Sequence, residues 1–126
     1  MKIALYITVA LLFFTSVPLH AGVRDWGSTV QRVDEVLNSS MESYSDGRTD
    51  EAKKGVTEAY FNLFEGEGME DAVSLYISDA RKGELEGMFN DLRGSIARKR
   101  PFSEIVKKKE LLVSALKYDA ARLPTG

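Results

Sequence analysis

The stretch Ala59-Tyr60-Phe61-Asn62-Leu63-Phe64-Glu65-Gly66-Glu67-Gly68-Met69-Glu70-Asp71-Ala72 brings bulky apolar anchors, two glycines and clustered carboxylates together. Carboxylates are hard oxygen donors, which suit Fe(III), Mg(II), Ca(II) or Mn(II) better than softer metals. Glu65, Glu67, Glu70 and Asp71 are therefore the candidate metal ligands. Their spacing does not fit an EF-hand loop. The competing reading is that the same acids are solvated and favour the positive end of the helix that follows them. If positions 56–67 formed one helix at about 100° per residue, Val56, Tyr60, Leu63 and Phe64 would share a face with Glu67 in its middle. An unpaired carboxylate there is costly to desolvate. Ending the helix at Gly66 or Gly68, in the left-handed position that glycine favours, instead leaves the four acids around an exposed corner.

The absences are as informative as the acids. The chain has no cysteine, and its one histidine is His20. Cys/His zinc sites, haem attachment, thiol catalysis, disulfides and a Ser-His-Asp triad are thereby excluded. Paired carboxylates can do acid–base chemistry, but no nucleophile or glycosidase-like arrangement accompanies them, so a non-enzyme is expected.

Lys2, the apolar run from Ile3 to Val17 and Pro18-Leu19-His20-Ala21 read as a signal peptide over residues 1–21. The remainder, 22–126, is one domain's worth of chain. Losing Lys2 moves the formal charge from −2 to −3, which gives no support to nucleic-acid binding.

The elements that must position the acids are all helical. Trp26, Val30, Val33, Leu37, Met41 and Tyr44 make one amphipathic stripe. After a turn at Ser45-Asp46-Gly47-Arg48, Thr49 or Asp50 can cap a second helix. That helix carries Ala52, Val56, Ala59, Tyr60, Leu63 and Phe64 inward and turns Glu58, Phe61 and Glu65 outward. The outward Phe61 is the better candidate for a partner contact. Met69, Ala72, Val73, Tyr76 and Ala80 form a stripe offset from that of Leu85, Met88, Phe89, Leu92 and Ile96, so the third segment breaks near Ser78-Asp79. Gly83, Gly87 and Gly94 lie inside the later part, where close approach of a neighbouring helix at Gly83 and Gly87 would compensate their low helix propensity. Pro101 stops this helix. A last helix, capped by Ser103, carries Ile105, Leu112, Leu116, Ala120 and Leu123. The basic groups Arg98-Lys99-Arg100 and Lys107-Lys108-Lys109 read as solvated helix ends, with membrane-surface docking as the second reading. Short turns favour an all-α antiparallel up-and-down bundle of four main helices.

Glu51-Ala52-Lys53-Lys54-Gly55-Val56, the A-Y-F-x-x-F-E block at 59–65, Gly68-Met69-Glu70-Asp71-Ala72-Val73, Ala80-Arg81-Lys82-Gly83-Glu84-Leu85-Glu86 and Leu92-Arg93-Gly94 together resemble the extracytoplasmic N-terminal domain of bacterial Ftr-type high-affinity iron permeases. The likeness runs from about Asp50 to Leu123. In that family the domain precedes membrane helices with R-E-x-x-E motifs, and this chain has no such motif. The resemblance implies a periplasmic or otherwise extracytoplasmic, membrane-proximal accessory role, helping to bind iron as Fe(II) or Fe(III) or to deliver it to the membrane permease, with a membrane iron permease or a periplasmic iron-binding protein as partner. The alternative expectation is a helical adaptor that binds no metal and docks envelope partners.

Overall fold

The structure, a computed structural model, describes residues 25–125. The expected signal segment lies outside the described residues. All regular structure among the described residues is helical: α1 (Trp26–Ser45), α2 (Thr49–Glu58), a π-helical turn (Ala59–Glu65) that continues α2, α3 (Met69–Tyr76), α4 (Asp79–Ala97) and α5 (Phe102–Arg122).

Each helix starts and stops for a local reason. Asp25 caps α1, its carboxylate accepting from the Gly27 N–H. The α2 start differs from expectation: neither Thr49 nor Asp50 caps it, Arg48 occupies the cap position without a side-chain capping hydrogen bond, its guanidinium pairing with Asp46 and Glu51 instead, and Asp50 and Glu51 sit in the first turn. Ser78 caps α4, its hydroxyl accepting from the Arg81 N–H. The expected break at Ser78-Asp79 is therefore complete, and it makes two helices of the third segment. Pro101, rather than Ser103, precedes the first residue of α5, as its missing N–H and fixed φ allow.

One hydrophobic core joins all five helices, with Val33, Leu37, Phe64, Met69, Leu85, Leu92, Ile105, Leu112 and Leu116 fully buried. α1 packs on α2 and α5, and α4 packs on α5 and α2, with α3 lying against α4 and the π-helical turn. Where α1 meets α2 the approach is close. A Cβ on Gly55 would overlap the Ser40 hydroxyl, which is buried without a hydrogen-bond partner among the described residues.

Several inward assignments change. Tyr76 and Ala80 are exposed, because α3 ends at Tyr76 before its stripe can continue. Tyr60 and Leu63 are only partly covered. Among the described residues nothing lies within 4 Å of where a Cβ on Gly83 or Gly87 would stand, so no neighbouring helix among them compensates these glycines. Asp119, on the last helix, is fully buried, and its carboxylate accepts from Arg81 Nε at 2.6 Å and from Arg122 at 2.7 Å. This pairing fastens the first turn of α4 to the end of α5. Trp26 makes a second fastening, its indole N–H donating to the Pro124 carbonyl at 3.0 Å.

Candidate functional site

The acidic corner is built by the transition from π-helix to turn. From Ala59 to Glu65 the wider π winding holds the aromatic block, a geometry that is uncommon and recurs at functional sites. The two glycines that follow have different tasks. Gly66 keeps a right-handed backbone, with φ −63°, but a Cβ there would run into the Phe61 and Asn62 carbonyl oxygens. Gly68 alone takes the left-handed conformation, with φ +93°, and turns the chain into α3.

The turn sends the four candidate ligands to three different environments. Glu65 and Asp71 are exposed. Glu67 turns back to α1, where it accepts from the Thr29 hydroxyl at 2.8 Å and pairs with the Arg32 guanidinium, whose Nε lies at 3.2 Å. Glu70 is buried, 9% exposed, in the first turn of α3. The corner is thus not wholly exposed as expected. Among the described residues, no group of three or more His, Cys, Asp or Glu side chains is disposed to hold a metal ion.

What the fold does bring together is Glu70 with two residues outside the corner. The Tyr60 hydroxyl lies in hydrogen-bonding range of Glu70 Oε2 and 2.9 Å from Glu86 Oε2. A phenol has one proton to donate. It serves one carboxylate at a time, and the other close contact requires a proton held by a carboxyl group. Burial raises the Glu70 pKa above its ordinary value; the Tyr60 hydrogen bond opposes the shift, while Glu86 and then Glu65 add to it. Burial, then the Glu70 and Glu86 carboxylates, raises the Tyr60 phenol far above its usual range and keeps it protonated. The second carboxylate beside Glu70 adds to the cost of ionising it, and a proton or a cation at this cluster would relieve that cost.

Tyr60 and Glu86 also line a groove of about 480 Å³, together with Val56, Phe61, Phe89 and Arg93. Its floor is aromatic: the Tyr60 ring meets Phe89 edge-on at 5.3 Å and Phe61 at 4.8 Å. Phe61 stands at the rim, 54% exposed, as its outward position in the sequence led one to expect. At the far end Arg93 Nε donates to the Thr57 hydroxyl at 3.0 Å.

Sequence reasoning missed Glu86 and treated Tyr60 as a core anchor. Glu86 lies sixteen residues beyond Glu70 on another helix, and no local periodicity links the two. The one available signal was the polar tip of Tyr60 on an otherwise apolar face, since a buried phenol needs a partner.

No family model matches the chain, and neither does any curated protein or solved structure. Among the described residues no helix is long and apolar enough to cross a membrane.

Proposed function

We propose that the chain is an antiparallel up-and-down bundle of four main helices that acts outside the cytoplasmic membrane as an accessory domain of an Ftr-type iron permease system, with iron as its cargo. The observation that carries this reading is the convergence of the Tyr60 hydroxyl with the Glu70 and Glu86 carboxylates at the wall of an open groove. All three are hard oxygen donors, the type that iron in its oxidised form prefers. A cation entering there replaces the shared proton and satisfies both carboxylates at once, so binding releases protons and weakens in acid. Two carboxylates and a phenol make an incomplete shell that water completes, and an incomplete shell suits a contact that must let its ion go. Glu65 and Asp71, exposed beside the site, add negative potential that draws a cation toward it.

Calorimetric titration with Fe(II) and with chelated Fe(III) tests the proposal. Wild type should bind, Glu70→Gln/Glu86→Gln should lose most of that binding, and Glu65→Gln/Asp71→Asn should weaken it only slightly. No binding by the wild type, or equal binding by the Glu70/Glu86 variant once its fold is verified by circular dichroism, overturns it. Loss confined to the Glu65/Asp71 variant returns the ligands to the exposed corner. A second reading, a helical adaptor without metal, is favoured by one feature: the exposed Phe61 ring beside an aromatic groove.

A further inference from the structure

The groove between α4 and α2 with its π-helical continuation is tied across at both ends. At one end the Tyr60 hydroxyl reaches Glu86. At the other, Arg93 Nε donates to the Thr57 hydroxyl at 3.0 Å, and that hydroxyl donates in turn to the Lys53 carbonyl at 3.2 Å. Between the ties the floor is apolar, with Val56 and Phe89 buried, while Phe61 and Asn90 stand exposed at the open rim. The groove's volume falls inside the range of about 300–1,000 Å³ in which proteins hold small molecules.

Arg93 is the charged group here that the fold leaves unanswered. Among the described residues, Arg32, Arg48, Arg81, Arg100 and Arg122 each pair with a carboxylate. Arg98 folds back on the end of its own helix, against Gly94 and Ser95. Arg93 has only the neutral Thr57 hydroxyl, and only through Nε. That bond holds the guanidinium at the end of the groove and leaves both Nη groups without a partner among the described residues. A guanidinium held in this way offers the planar fork that takes a carboxylate by two parallel hydrogen bonds.

We infer that this groove binds a small aromatic carboxylate, its carboxylate on the Nη groups of Arg93 and its ring between Phe61 and the floor of Val56 and Phe89. Charge sets the direction of entry. Glu70 and Glu86 repel an anion from the Tyr60 end, so the carboxylate goes to Arg93 and the neutral edge of the ring points toward Tyr60. Glu86 stays with Tyr60 and Glu70 and contributes no charge pairing to the ligand. The flat body follows from the walls: the Tyr60 ring already meets Phe61 and Phe89 edge-on, and a further ring extends that packing better than an aliphatic chain does. Asn90, three residues before Arg93 at the same rim, adds an amide to the polar end. Lys82, one turn before Glu86, also has no carboxylate partner among the described residues, but it does not line the groove and serves as the control for a merely general attraction.

NMR titration of the full-length chain with 4-hydroxybenzoate, in the absence of metal, tests the inference. Saturable shifts should centre on the Arg93 Nε–H and on the Phe61 and Asn90 amides. 4-Hydroxybenzamide, which keeps the ring and loses the charge, should bind about tenfold more weakly or worse. Arg93→Gln should cost a similar factor with an unchanged melting temperature, Arg93→Lys less because the charge survives without the fork, and Lys82→Gln little. No saturable shift, equal affinity for the amide, wild-type affinity in Arg93→Gln, or an equal loss in Lys82→Gln overturns the inference. A free-acid peptide ending in phenylalanine that displaces 4-hydroxybenzoate at far lower concentration assigns the groove to a protein partner and overturns it too. Because the titration contains no metal, its failure leaves the iron proposal standing, and failure to bind iron leaves this site standing.

Discussion

At the scale of single residues, the decisive group is the Glu70 carboxyl. It is buried beside a second carboxylate and shares a phenol with it, and its folded-state pKa is raised, first of all by burial. A carboxyl whose folded pKa exceeds its unfolded value of about 4.3 contributes its full stability below that unfolded value and loses it as pH rises through the folded one. Melting temperatures of wild type and Glu70→Gln should therefore converge in acid and separate above it, with the variant gaining relative to wild type toward neutral pH. Parallel curves would show that Glu70 ionises at no cost in the fold. The sequence offered Glu70 as a candidate in other surroundings: its neighbours were read as Glu65, Glu67 and Asp71, whereas its side-chain contacts in the fold come from Tyr60 and Glu86.

At the scale of the elements, the turns are set by backbone conformation as much as by hydrophobic pattern. Gly68 and Lys99 both have positive φ, +93° and +56°, but only the first is a residue without a Cβ. The left-handed region costs an ordinary L-residue roughly 1–2 kcal/mol. Gly68→Ala should lose about that much stability and Lys99→Gly should gain a similar amount, less glycine's greater unfolded-state entropy. Chemical denaturation of the two variants checks both signs. The turn glycine was legible in the sequence because glycine after an apolar helical run is a stop signal. The π winding from Ala59 to Glu65 was not. A π turn and an α turn can carry the same residues, so the local pattern does not choose between them; in the fold the π winding accompanies the packing of Phe64 against Phe89 on another helix at 5.3 Å.

Across the whole molecule, two kinds of fastening hold the helices together: the apolar core and a few buried polar ties. Leu112 is fully buried in the centre of α5, so Leu112→Ala should cost about 2–5 kcal/mol. Leu63, which is only partly covered, should cost visibly less on the same substitution. Asp119→Ala strips the buried carboxylate from between two guanidinium groups that are 24% and 41% exposed, so no buried charge is left behind and the loss of its charge-assisted hydrogen bonds should cost about 1–3 kcal/mol. Equal, surface-like losses at Leu112 and Asp119 in a urea titration would mean that neither position bears on the core.

Periodicity alone determined that this is a helical protein, that α1 and α5 each carry one apolar stripe, and that the chain must break at Ser78-Asp79, because a stripe of apolar residues every three or four positions fixes which way a helix faces. The absence of cysteine and the near absence of histidine determined which chemistries are closed to it. Only the tertiary structure decided which carboxylates meet. Glu67 and Glu70 are three residues apart, yet one reaches back to Arg32 on α1 and the other is covered beside Glu86 on α4. Side-chain pairing across helices depends on how the axes cross and where each helix ends, and neither is recorded in the spacing of residues along any one of them. Asp119 shows the same limit from the other side. On its helix it occupies a position that a hydrophobic pattern passes over, and it becomes buried because Arg81, thirty-eight residues earlier, arrives to pair with it.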